Sequence, residues 1–150
     1  MKQLKVRPFT IEYQEEAKKL VLEGMKERFG FIDHTLNPDL NDILNHYLSN
    51  GNSFFIGFIN KELVCTGALT SEGSSIVRIE RMSVKRSFRR CGIAQSMLEY
   101  LERQVKQEDY RTIVLETNQE WKSAINFYEK NGFNFDFQDK EQLHFIKKID

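Results

Sequence analysis

Four basic residues, Lys85, Arg86, Arg89 and Arg90, fall within six positions, and the chain continues Cys91-Gly92-Ile93-Ala94. This run follows a strand-like segment, Ile76 to Val84, and opens a strongly amphipathic helix from Ala94 to about Gln107. A basic, glycine-containing loop leading from a strand into a helix suits an anion. The N–H groups of a first helical turn have no intrahelical acceptor, and the helix dipole favours negative charge beside them. Gly92 lets the backbone approach a phosphate with no Cβ in between. Pyrophosphate is the guest this chemistry suits best. The alternative is a solvated basic turn, or a nucleic-acid patch.

A second segment bears on the choice. Leu115-Glu116-Thr117-Asn118 ends another apolar strand, and Ala124-Ile125-Asn126-Phe127-Tyr128-Glu129-Lys130-Asn131-Gly132-Phe133 follows. Together the two segments resemble the GNAT superfamily of acyl-CoA-dependent N-acetyltransferases. Arg89-x-x-Gly92-x-Ala94 is similar to that family's pyrophosphate loop, R/Q-x-x-G-x-G/A. Ala124-x-x-Phe127-Tyr128-x-x-x-Gly132-Phe133 is similar to its C-terminal helix and turn. A short glycine pattern alone recurs by chance; two patterns in this order, about thirty residues apart with a helix and a strand between them, are specific. The resemblance runs from about residue 54 to residue 135, and the first fifty residues fit only in outline.

The resemblance implies roles for particular residues. Backbone N–H groups of Arg90, Cys91, Gly92, Ala94 and Gln95, in the loop that also contains Ile93, would hold the pyrophosphate of coenzyme A. Arg89 and Arg90 would neutralise it, and Lys85 or Arg86 would reach the 3′-phosphate. Backbone groups of Met82 and Val84 would pair with the pantetheine arm as if it were a strand, and an N–H near Met82 would polarise the thioester carbonyl. Asn118 and Asn126 would bond the pantetheine amides, or serve as a cap and a surface amide. Phe29, Phe31, His34 and Tyr47, with the loop near Glu72, would line the acceptor pocket. The family transfers the acyl group directly, so the implied activity is acetyl transfer from acetyl-CoA, as co-substrate, to a primary amine of a small molecule, amino acid or peptide in a ternary complex. The alternative function is a catalytically silent acyl-CoA-binding regulatory domain.

Two side chains carry the proton chemistry on this reading. An attacking amine expels a thiolate whose conjugate acid has a pKa of about 8.5, below a phenol's of about 10, so a tyrosine hydroxyl can protonate it as it leaves. Tyr128 stands where the family places that acid; otherwise it is a core aromatic with its hydroxyl at the rim. Glu80 is the candidate base, on the strand that would border the amine; otherwise it is an exposed salt-bridge partner of Arg78 or Arg81. Strict alternation puts Arg78, Glu80, Met82 and Val84 on one face and Ile79, Arg81 and Ser83 on the other. His46 and His144 read as structural or solvated. No cluster of His, Cys, Asp and Glu has metal-ligand spacing, so no metal is expected.

The elements that must position these residues follow from periodicity. Strands are predicted at Leu4–Phe9, Ser53–Ile59, Leu63–Thr70, Ile76–Val84, Thr112–Glu116, Phe133–Phe137 and Leu143–Ile149, and helices at Ile11–Phe29, Asp39–Leu48, Ala94–Gln107 and from Trp121 or Lys122 to Lys130. This predicts an α+β fold: a mixed central sheet of about seven strands flanked by about four helices. The resemblance adds a V-shaped splay between the fourth and fifth strands. With 150 residues and no linker or repeat, one domain over 1–150 is expected. The 22 basic and 22 acidic residues cancel, which argues against a nucleic-acid partner. The two cysteines, the polar N-terminus and the absence of a long apolar run predict a cytoplasmic protein with no membrane partner. A monomer or homodimer is expected.

Overall fold

The computed structural model of the chain describes residues 3–30 and 37–149. Seven strands, β1 Lys5–Pro8, β2 Ser53–Ile59, β3 Glu62–Ser71, β4 Ile76–Val84, β5 Thr112–Asn118, β6 Asn134–Asp139 and β7 Gln142–Lys148, form one sheet in the order β1-β2-β3-β4-β5-β7-β6. Every neighbouring pair is antiparallel except β4 and β5. The described helices are α1 Gln14–Phe29, α2 Ile43–His46, α3 Ile93–Gln107 and α4 Lys122–Lys130. The α+β class, the seven strands and the mixed pairing are those expected from the sequence.

The sheet is covered on both faces. The apolar residues of α3 recur at Ile93, Met97, Leu98, Leu101 and Val105, and all five are buried against Val77, Ile79, Ile113 and Leu115 of the parallel pair. Full burial of such a side chain contributes about 2 kcal/mol, so α3 is anchored along its whole length. Tyr128 and Phe133, from α4 and the turn after it, complete this core. On the opposite face α1 buries Ala17, Leu20 and Val21 against Phe54, Ile56 and Phe58 of β2, with Leu40, Ile43 and Tyr47 beside them.

One predicted helix is broken. The segment expected as a helix from Asp39 to Leu48 contains a 3₁₀ turn, Pro38–Asn41, then α2, then a second 3₁₀ turn, Leu48–Asn50. Asp42 takes an extended conformation between the first two pieces, and its carboxylate accepts the Asn45 N–H at 3.2 Å. Short polar side chains that bond the local backbone start and stop helices, and this stretch holds Asp39, Asn41, Asp42, Asn45 and Asn50.

Strict alternation fails in β4 as well. Thr66 of β3 pairs with Ser83 and Ala68 with Glu80, so Arg81 and Met82 together stand opposite Gly67. This is a β-bulge, and Arg81 adopts φ 55 to form it. The Thr66 hydroxyl donates to the Arg81 carbonyl at 2.7 Å, which satisfies a group the bulge takes out of the ladder. The bulge corrects the expected facing: Glu80 and Arg81 line one pocket together, while Met82 turns into the α3 core. Gly67 makes room for it. A Cβ there would meet Leu101 Cδ1 at 3.1 Å and Met82 Sδ and Met97 Cγ at 3.2 Å. Gly67→Val is therefore expected to cost about 2 kcal/mol by overpacking, read as a lower denaturant midpoint. An unchanged midpoint would mean that Met82 and Met97 have room to move aside.

Candidate active site

The site begins where the parallel pairing ends. β4 and β5 share the register Ile76↔Thr112, Val77↔Ile113 and Arg78↔Val114, and no further pair. Both strands continue, β4 to Val84 and β5 to Asn118. The backbone edges from Ile79 and from Leu115 onward thus face each other without a ladder between them. This is the V-shaped splay between the fourth and fifth strands.

At one end of the opening lies the basic loop. A 3₁₀ turn, Arg86–Phe88, leads to Arg90 at φ 62 and Gly92 at φ 79, and Gly92 is the N-cap of α3. No side chain caps this helix terminus. A Cβ on Gly92 would meet nothing within 4 Å, so the space beside Gly92 at the start of α3 is open. An anion fits that arrangement. The four cations of the loop differ in their commitments. Lys85 is paired with Glu62 at 2.6 Å, and Arg89 with Glu27 of α1 at 2.6 Å. Among the described residues Arg86 and Arg90 form no ion pair. Arg89 Nε also donates to the Val84 carbonyl at 3.2 Å, so that carbonyl is already engaged. Cys91 is exposed, and its thiol leans on the Arg89 carbonyl at 3.5 Å. Ile93 is buried as the first anchor of α3, and the Gln95 amide donates to Asn131 Oδ1 at 2.8 Å, tying α3 to the end of α4.

Tyr128 is buried in the core beside α3. Its ring packs edge-on against Phe127 at 5.2 Å and Phe133 at 5.6 Å. Burial pushes its hydroxyl pKa up to about 12, partly offset by the positive charge of Arg28. The hydroxyl is therefore a proton donor throughout the neutral range. Arg28 itself lies 4.5 Å over the Trp121 ring, at the start of α4. With Glu27 on Arg89 and Arg28 on Trp121, the last turn of α1 reaches both sides of the opening.

At the other end is a pocket of about 390 Å³ lined by Asp39, His46, Tyr47, Ile79, Glu80, Arg81 and Glu116. The Tyr47 hydroxyl donates to Asp39 Oδ2 at 2.7 Å, and Glu80 Oε1 lies 3.1 Å from the same oxygen, sharing its one proton. Arg81 grips Asp39 with two contacts, 3.0 Å from Nε and 2.7 Å from a terminal nitrogen. Burial alone would raise the Asp39 pKa, but the Arg81 guanidinium outweighs it and the carboxyl sits below its ordinary range. Burial, and then the bond to Asp39, hold the Tyr47 phenol well above its ordinary range. Glu80 forms no ion pair among the described residues. Arg81 is taken by Asp39, and Arg78 by Glu72 and Glu116. The expected alternative, a salt bridge from Glu80 to Arg78 or Arg81, is thus not the arrangement found.

Other expected residues stand as follows. Asn118 is buried, and its side-chain oxygen accepts the Glu120 N–H at 2.8 Å, so it caps the turn before α4. Asn126 lies on the exposed face of α4. Tyr47 lines the pocket, whereas Phe31, His34 and the Phe29 side chain lie outside the described residues. Glu72 acts through Arg78 and does not itself line the pocket. His46, read as structural or solvated, lines the pocket, and His144 Nδ1 stands 3.6 Å from Glu116. Asp39, Arg81 and Glu116 went unassigned. Asp39 and Arg81 are 42 positions apart, and no local pattern joins them. Glu116 was legible in principle, since it alternates with the buried Leu115.

A family model described as "Acetyltransferase (GNAT) family" matches residues 11–133. The chain belongs to this family. "Probable N-acetyltransferase 14" of Xenopus tropicalis is 29% identical over 100 residues, covering 65% of this chain and 48% of that protein. The chain thus spans about half the length of that curated relative. A GNAT-family acetyltransferase of Staphylococcus aureus Mu50 superposes with a TM-score of 0.89 at 23% identity, covering 99% of this chain and 100% of that one. The PaiA N-acetyltransferase of Thermoplasma acidophilum, solved in complex with coenzyme A, superposes at 0.85 with 20% identity, covering 98% and 99%. These two likenesses show a shared GNAT fold.

The Asp39–Arg81 pair should hold the segment before α2 against the bulge. Asp39→Asn leaves a mostly buried guanidinium without its carboxylate, an expected loss of about 2–3 kcal/mol at pH 7. The contribution is present above the unfolded carboxyl value, about 3.9, and disappears as pH falls through the lower folded value. Denaturation midpoints of the two proteins should therefore differ at pH 7 and converge toward pH 2. A constant gap would assign the loss to packing.

Proposed function

We propose that the chain is an N-acetyltransferase that moves an acetyl group from acetyl-CoA to a primary amine of a small molecule, amino acid or peptide, by direct attack in a ternary complex. One observation carries this reading: the pairing of β4 and β5 stops at Arg78 and Val114, Glu80 and Glu116 line a pocket just beyond that point, and β4 then runs on to the loop that opens α3. Acetyl-CoA supplies an activated thioester. Its pyrophosphate fits the loop at Gly92, where the open space and free N–H groups of α3 suit two negative charges. Arg90 and Arg86, without ion pairs among the described residues, can neutralise phosphates at once, whereas Arg89 and Lys85 must first share or leave their carboxylates.

The unpaired edge of β4 can bond an extended arm, and an N–H near Met82 would then face the thioester carbonyl. Glu80 is placed to take the proton from the amine, held toward the pocket by the Tyr47 hydroxyl. Tyr128 returns a proton to the departing sulfur, and burial keeps that proton on the phenol until it is needed. The buried Cys65 thiol, pushed up to about 12 by burial, has no part in this scheme.

Two variants separate binding from transfer. Gly92→Val forces a β-branched residue into φ 79 and fills the space kept for phosphate. It should weaken acetyl-CoA binding at least about tenfold, or 1.4 kcal/mol, by calorimetric titration of the folded variant. Unchanged affinity would remove the loop from the site. Tyr128→Phe should leave that affinity alone and lower kcat by about 10²-fold. Retention of wild-type kcat would pass the acid role to another group. A silent acyl-CoA-binding domain would bind the thioester and release no thiol with any amine.

A further inference from the structure

The reading of this pocket as the acceptor site leaves the kind of amine open, and the pocket itself bears on it. We propose that the acceptor carries a second positive charge beside the amine that reacts, as a short aliphatic diamine or polyamine does. The inference rests on the acetyltransferase reading above.

Charge is the first ground. The pocket is lined by three carboxylates, Asp39, Glu80 and Glu116, and one guanidinium, Arg81, a net of −2 with His46 neutral. Widening the count to the groups that bond these does not change it. Asp39, Glu72, Glu80 and Glu116 stand against Arg78 and Arg81, four against two and the same net of −2 among the described residues, with His144 beside Glu116. Both guanidiniums are committed. Arg81 spends two contacts on Asp39 and rests a terminal nitrogen 3.6 Å from Met25 Sδ, and Arg78 bridges Glu72 and Glu116. Among the described residues neither guanidinium is spare for a substrate carboxylate or phosphate, and an anionic acceptor would enter a negative field.

Position is the second ground. Arg78 and Val114 are the last paired residues of the two parallel strands. Glu80 and Glu116 each lie two positions beyond them and both line the pocket, so a carboxylate enters it from either side of the opening. Glu80 can receive the reacting amine while Glu116 receives a second ammonium, a span suited to a short alkyl chain and to a pocket of about 390 Å³.

Aromatic faces are the third ground, independent of the carboxylates. His46 and Tyr47 pack at 4.7 Å on one wall. Beyond Glu116, His144 is stacked by Phe137 at 4.1 Å and 8°. A bulge at Asp136 puts Phe137 there, since Phe135 pairs with Phe145 and Phe137 with His144. Phe137 remains 50% exposed. Phe137 does not line the pocket and is reached from Glu116 across His144, where its exposed face attracts a cation and offers an anion nothing.

The test is the initial rate of thiol release from acetyl-CoA by the intact chain with 1,4-diaminobutane, butylamine and aspartate as acceptors. The diamine is expected to exceed butylamine in kcat/KM by about tenfold, the value of one well-placed charge contact, and aspartate to be the poorest. The advantage should shrink as salt is raised. Glu116→Gln should cut the diamine-to-butylamine ratio several-fold, and Glu116→Asp should restore part of it. Butylamine or aspartate matching the diamine would overturn the substrate class and leave acetyl transfer standing, as would an unchanged ratio in a folded Glu116→Gln protein. Absence of thiol release with all three amines, despite acetyl-CoA binding, would overturn the acetyltransferase reading together with this one.

Discussion

Past Arg78 and Val114 two parallel strands stop sharing hydrogen bonds, and much of this architecture serves to make that break tolerable. Backbone N–H and C=O groups left without partners away from water are costly. The chain meets the cost from both sides. On β4 the Val84 carbonyl is covered by Arg89, while on the strand's other edge, toward β3, the Thr66 hydroxyl closes the bulge at Arg81. On β5 the far edge is fully laddered to β7, from Thr112↔Lys148 to Asn118↔Gln142, so the strand is held straight by its other neighbour. What remains is a slot with strand-like edges, shaped for a guest that can behave as a strand.

The bulge decides which chemistry surrounds the slot. Without it Arg81 would lie on the α3 face among Met97 and Leu101, a guanidinium in an apolar core. With it Arg81 meets Asp39, and Met82 takes the apolar place. Gly67 is the residue on β3 that allows this, because the space its Cβ would need is filled by Leu101, Met82 and Met97. One non-glycine residue at positive φ and one glycine across the ladder thus set the faces of Glu80, Arg81 and Met82 at once.

That bulge also marks where the sequence stopped being legible. Regular elements read well because their periodicity is local: β2 and β4 were predicted at the bounds found, and α3 within one residue. The loop at Gly92 was legible because a basic run, a glycine and an amphipathic helix are adjacent in the chain. Alternation through residues 78 to 84 was misread because nothing local in Arg78-Ile79-Glu80-Arg81-Met82 announces an extra residue in the ladder. The broken helix before β2 was misread for another reason. Leu40, Ile43, Leu44 and Tyr47 keep helical spacing although Asp42 interrupts the backbone. Asp39 entered the pocket through a tertiary contact with Arg81 that no spacing encodes.

The two halves of the site are held by different forces. The loop at Gly92 is fixed by the apolar anchors of α3, five buried side chains over four turns, and the guest it suits is bound by backbone groups. Its geometry therefore depends little on which polar side chains stand elsewhere. The pocket at Glu80 is fixed by polar contacts: Asp39 to Arg81 and Tyr47, Tyr47 to Glu80, Arg78 to Glu72 and Glu116. Such contacts are directional and mutually dependent, so exchanging one residue rearranges its neighbours. A fold divided in this way lets the pocket side chains be exchanged while the loop keeps its backbone geometry. The same division explains why sequence patterns report the loop so much better than the pocket: backbone recognition constrains spacing and glycine, whereas side-chain recognition constrains only what meets in space.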